Sequence, residues 1–141
     1  MNVDFEEHKI QLQKWIEITE EDLRLVAFAF KMESNIPFRL ICYHSQQCVE
    51  KYLKALLVSE LIDFPYTHSI EVLVKLSPMQ YDLSTKLSKM FNLSNYAIAR
   101  RYPGDYEKIL RKDAIVAVDS ARKAKSIIEI ILRNNNYLNI S

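Results

Sequence analysis

The stretch "RLICYHSQQCVEKYLKALL", Arg39 to Leu57, decides how the rest of the chain is read. Ile41, Ser45, Cys48, Val49, Tyr52, Ala55 and Leu56 recur at the 3.6-residue period of one helix face, with no proline or glycine to interrupt them. The pattern predicts a long helix from about Pro37 to Glu60. Proline at its start costs nothing, because the first N–H groups of a helix have no partner in any case.

Working outward, the same period extends over most of the sequence. Phe5, Leu12, Trp15, Ile16, Leu23, Val26, Ala27 and Phe30 share a stripe, with His8 and Thr19 on it. That predicts one long helix or two in line, with a restart at "TEED", Thr19 to Asp22, which has the form of an N-cap followed by an acid three residues on. After "DFPYTHS", Thr67 or Ser69 is placed to cap a short helix through "IEVLVKL" that stops at Ser77-Pro78. A fourth helix is expected over Met79 to Arg101, with Leu83, Leu87, Met90, Ser94, Ala97 and Arg101 in line. It ends at "RRYPGD", where Pro103 restricts the residue before it. The last, about Lys112 to Arg133, carries the small face Ala114, Ala117, Val118, Ala121 and Ala124. Small residues let helices approach closely, so this helix is expected at the centre. "NNNYLNIS" reads as a polar tail from about 134 to 141.

These elements predict an all-α, up-and-down bundle of four to five helices in a single domain over residues 1–141. One glycine among 141 residues disfavours a turn-rich β fold, and it leaves no material for a phosphate-cradling glycine loop. Nineteen basic against eighteen acidic residues give a net charge of +1, so any nucleic-acid contact must be local. The charged start "MNVDFEEHKI" and the short apolar runs predict a cytoplasmic protein with no membrane partner. Cys42 and Cys48 lack a second pair, and no His-Glu-x-x-His or Glu-x-x-His occurs. We therefore expect reduced packing cysteines, no metal and no cofactor.

The chemistry must come from polar groups on helices. At ~100° per residue, His44, Gln47, Lys51 and Lys54 form a strip beside the apolar stripe, and Arg39, Gln46 and Glu50 form another on the opposite edge. Arg39 and His44 stand ~140° apart and ~7.5 Å along the axis, too divergent to meet on one atom within a single chain. A two-fold mate could complete the pair. In "YAIARRYPGDY", Arg100, Arg101 and Tyr102 offer the guanidinium and aromatic groups that suit phosphate and stacked bases. His68 stands beside the cap at Thr67, where a structural role competes with a catalytic one.

"YHSQQCVEKYLKALL", "PYTHSIEVL" and "ARRYPGD", in that order, resemble the HEPN domain family of prokaryotes and higher eukaryotes, over nearly the whole chain. The resemblance implies homodimers that bind nucleotide or RNA and act with a small nucleotidyltransferase in two-component modules of toxin-antitoxin type. Many members are metal-independent ribonucleases marked by Arg, four to six residues, then His, in a site shared between two chains. Arg39 and His44 meet that count on the second helix. After Arg100 and Arg101 no histidine follows at that distance, and Tyr106 occupies the window. The chain resembles the branch that keeps "HxQQxxEKxLKALL" and lacks the late signature. Three functions follow: a binding module using His44, Gln47, Lys51, Lys54, Arg100, Arg101 and Tyr102; a ribonuclease drawing on His44, His68, Arg39 and Arg101; or a purely structural dimerisation domain.

Overall fold

The computed structural model describes residues 3–99 and 108–137. Six α-helices occur among them: α1 (Val3–Ala29), α2 (Phe38–Ser59), α3 (Ile70–Leu76), α4 (Leu83–Lys86), α5 (Ser94–Ala99) and α6 (Arg111–Asn134). Two short 3₁₀ segments, Met79–Tyr81 and Ser88–Leu93, lie between them, and no strand is found among the described residues. The fold is all-α.

The apolar stripes form one core. Leu12, Ile16 and Val26 of α1, the whole predicted stripe of α2, and Ala114, Ala117, Val118, Ala121, Ala124, Ile128, Ile131 and Leu132 of α6 are buried. The helix at the centre is α2, not the last one as its small face suggested. Thirteen of the 22 residues of α2 are buried, against eight of 24 in α6. Both α1 and α6 lie along α2 and share only a short seam with each other. Close approach of α6 needs small groups on that helix alone, and α2, packed against it, brings large side chains such as Tyr52, Leu53 and Leu56 to the core, all fully buried. At the seam Lys125 Nζ stands 3.3 Å from both Glu20 and Glu129. Burial opposes its charge, but the two carboxylates outweigh burial and raise its pKa.

Of the two readings of the first segment the single long helix is the one observed, and the expectation for the fourth helix changes. The restart at "TEED" does not occur, because the Thr19 hydroxyl donates back to the Trp15 carbonyl at 2.7 Å and so is spent within the helix. The single fourth helix is instead four short pieces. Asp82 sits at φ 52°, in the left-handed region, and Ser84, Thr85 and Ser88 are residues whose hydroxyls compete with helical bonding. Leu83, Leu87, Met90 and Ala97 are still buried, so the stripe was real although the helix was not. Arg101, the last of that stripe, lies outside the described residues.

Helix ends follow the local chemistry. Ser69 caps α3, its hydroxyl accepting from the Val72 N–H at 3.2 Å, while Thr67 accepts from the Ser69 N–H at 3.0 Å. Asp113 accepts from the Leu110 N–H at 2.8 Å and starts α6. The tail opens with an ordered turn: Tyr137 packs on the core, its ring 5.6 Å from that of Phe5, and Asn135 donates to the Tyr81 hydroxyl at 3.0 Å.

Candidate functional site: two carboxylate-anchored histidines

The polar strip of α2 is joined to carboxylates at both of its edges. Toward α1, His44 Nδ1 lies 3.1 Å from Asp22 Oδ1, and Lys51 Nζ lies 2.7 Å from Asp22 Oδ2. Asp22 is thus the acid of "TEED" that reaches across to α2. Its side chain is only 12% exposed and that of His44 is 27% exposed. The His44 ring also meets Tyr43 edge to face at 5.2 Å and borders an apolar cavity of about 90 Å³ with Leu25, Val26, Leu40 and Ile41.

At the other edge the hub is Glu50, with a side chain 3% exposed. Its Oε1 accepts from Lys54 Nζ at 2.8 Å and His68 Nδ1 at 2.9 Å. Its Oε2 accepts from Gln46 Nε2 at 3.1 Å and Gln47 Nε2 at 3.2 Å. Four donors meet the four lone-pair positions of the carboxylate, which is the condition for holding such a group away from water. Gln46 is itself fully buried; Nε2 also donates to the His68 carbonyl at 3.2 Å, and Oε1 accepts from Gln47 at 2.7 Å.

Sequence spacing had set Gln46 and Glu50 on a separate edge from Gln47, Lys51 and Lys54. The connection after α2 folds over that edge, and Glu50 joins the two strips. Glu50 was not among the predicted site residues. The signal available was the i, i+4, i+8 ladder Gln46, Glu50, Lys54 beside Gln47, which looks identical on a solvated helix edge.

Both histidines face their carboxylate through Nδ1. A carboxylate only accepts, so Nδ1 carries the hydrogen, and in the neutral form of either ring the lone pair is at Nε2. Such a ring is oriented to take a proton or a hydrogen bond at one defined atom. Tyr66 Oη lies 3.5 Å from His68 Nε2, and the His68 side chain is 32% exposed. Asp22 and Glu50 against Lys51 and Lys54 leave these four groups balanced in charge. The lysines hold carboxylates here and are not simple anion receptors.

Arg39 is half-buried on the first turn of α2. Arg100, Arg101 and Tyr102 lie outside the described residues, as does Tyr106. Both cysteines are buried. Burial raises the Cys42 thiol to about 11, against a side-chain hydrogen bond with Tyr96, and raises Cys48 to about 12 with help from Asp22. They are packing residues, not nucleophiles. Among the described residues no group of three or more His, Cys, Asp or Glu gathers to hold a metal ion. No helix among them is long and apolar enough to cross a membrane.

A family model described as "HEPN domain" matches residues 12–134, from the first buried leucine of α1 to the last residue of α6. No curated protein and no solved structure matches the chain. The match points to a nucleotide- or RNA-related function at the level of the family. On a match of that extent, over an all-α architecture, the chain belongs to the HEPN domain family.

Proposed function

We propose that this chain is a homodimeric module that binds nucleotide or RNA, working beside a small nucleotidyltransferase in a cytoplasmic two-component system of toxin-antitoxin type. The observation that carries the binding reading is the Nδ1 anchoring of His44 on Asp22 and of His68 on Glu50, which orients one ring at each edge of the polar face of α2. Gln47, Lys51 and Lys54 hold the carboxylates behind that face. Arg100, Arg101 and Tyr102, directly after α5 in sequence, supply guanidinium and phenol groups for phosphate and base. A two-fold mate supplies a second copy of each group.

Light scattering combined with titration of labelled ATP and of single-stranded RNA tests this reading. The expected result is the mass of two chains and saturable binding that weakens in His44→Ala and in Arg101→Ala. A monomer at micromolar concentration with no binding of either probe removes it.

The carboxylate-anchored histidines also favour a second reading, RNA cleavage without metal. One imidazole Nε2 takes the proton of a 2′-hydroxyl, and the 2′-oxygen bonds to phosphorus. The P–O5′ bond breaks, and a protonated imidazole gives its proton to the leaving 5′-oxygen. Arg39 or Arg101 stabilises the charge on the phosphorane formed before the P–O5′ bond breaks. Purified protein should cleave RNA in EDTA to 2′,3′-cyclic phosphate ends and lose that activity in His44→Ala. Equal cleavage by the variant excludes His44 from the chemistry.

A further inference from the structure

The connection between α2 and α3 carries three aromatic or imidazole rings at alternate positions, Phe64, Tyr66 and His68. Phe64 is spent on the fold: it packs against the core, and Lys54 Nζ stands 5.7 Å from its ring centre. Tyr66 is not spent. It is 88% exposed, and its ring meets His68 edge to face with centroids 5.4 Å apart.

An exposed loop tyrosine is ordinarily a mobile surface group, but here the backbone around it is held. The Ile62 N–H donates to the Leu57 carbonyl at 2.9 Å, just after Leu61 turns the chain at φ 58°. Gln46 grips the His68 carbonyl, Glu50 grips the His68 ring, and the Ile70 N–H donates to Ser94 Oγ at 2.9 Å. Folding therefore meets part of the ordering cost that a ligand would otherwise meet on binding.

The chemistry on offer around Tyr66 is a flat ring and an acceptor nitrogen. Lys51 and Lys54 already face Asp22 and Glu50, so those two cations give phosphate no uncompensated charge. A planar base, in contrast, finds the face of Tyr66, and an exocyclic amine or ribose hydroxyl replaces the long Tyr66 hydroxyl contact at His68 Nε2.

We infer that Tyr66 and His68 form a nucleobase-binding contact: the base stacks on Tyr66, and a donor of the same nucleotide is accepted at His68 Nε2. This rests on the nucleotide- or RNA-binding reading and adds that this end of the polar face reads base and not phosphate. Glu50 acts as a positioning residue, because it fixes the ring orientation of His68 without reaching the ligand.

The test is fluorescence anisotropy on the full chain with a short labelled oligoadenylate and with an abasic ribose-phosphate strand of the same length. The wild-type protein should bind the abasic strand about tenfold or more weakly, on the scale of one lost stacking contact. Tyr66→Ala should lose a similar factor for oligoadenylate, and Tyr66→Phe should keep wild-type affinity. Competition by ATP identifies a free nucleotide as a sufficient ligand, and competition by oligoadenylate alone identifies a strand. Equal affinity for both strands, or wild-type binding by folded Tyr66→Ala, overturns the assignment while leaving the binding reading in place. Absence of binding to oligoadenylate, abasic strand and ATP overturns both.

Discussion

His68 Nδ1 donates to Glu50 Oε1 at 2.9 Å, tying a loop residue to a carboxylate 18 positions earlier in the interior edge of α2. Four donors converge on the buried Glu50, so its removal takes the carboxylate from Lys54 and His68 and one of two partners from Gln46 and from Gln47. Glu50→Ala should cost about 3–5 kcal/mol, the range for breaking a buried charged pair by deleting one partner. Urea unfolding measures it, and a loss within about 1 kcal/mol would show that the network relaxes into solvent.

Glu50→Gln separates position from packing. The amide keeps the shape and one acceptor oxygen for the Nδ1–H, whereas Glu50→Ala removes the acceptor altogether. Long-range nitrogen-proton NMR spectra of the neutral His68 ring should show Nδ1–H in the wild type and in Glu50→Gln, and a shift toward Nε2–H in Glu50→Ala. An Nδ1–H ring kept in folded Glu50→Ala would mean that Glu50 does not orient it.

Ser45 gives a prediction of opposite sign. It is fully buried in the apolar stripe of α2, and its hydroxyl has no hydrogen-bond partner among the described residues. Removing an unpaired buried hydroxyl relieves its desolvation, so Ser45→Ala should raise stability by up to about 1 kcal/mol. A clear loss in thermal or urea unfolding would reveal a partner for the hydroxyl.

The thiols set an alkaline limit. Cys42 and Cys48 ionise near 9.0 when unfolded, and burial holds them protonated to about 11 and about 12 in the fold. A raised pKa contributes stability that is fully present below pH 9 and is lost as pH rises through the folded values. The thiols' share of the urea midpoint should therefore be constant through the neutral range and fall above pH 9, so the alkaline fall is less steep in Cys42→Ala with Cys48→Ala. Native protein should also resist a thiol reagent at pH 8 and react fully once unfolded.

What the sequence made legible follows from where the controlling interactions lie. The faces of α1, α2 and α6 could be read because apolar periodicity is a local property, and each predicted residue of the α2 and α6 stripes is buried. The fourth helix misled for the same reason: Leu83, Leu87 and Met90 keep helical spacing while Asp82 at φ 52° breaks the backbone between them and Tyr81. Thr19 has the residue type of a cap but back-bonds within α1.

The site divides in the same way. His44, Gln47, Lys51 and Lys54 were visible as a strip, since they share one helix. Glu50 and Asp22 were not, because their role depends on the loop and on α1 folding against α2, contacts 18 to 29 residues away in sequence. A Glu four residues before a Lys is an ordinary solvated pair until a loop covers it.

The most direct measurement is the affinity of wild type, His44→Ala and His68→Ala for the same labelled single-stranded RNA, taken with a melting curve for each. Both side chains are partly exposed, so folded variants are expected. The expected result is a loss of about tenfold or more in each variant, the scale of a well-placed contact at a binding site. RNA affinity equal to wild type in both folded variants would contradict a binding role for the anchored histidines.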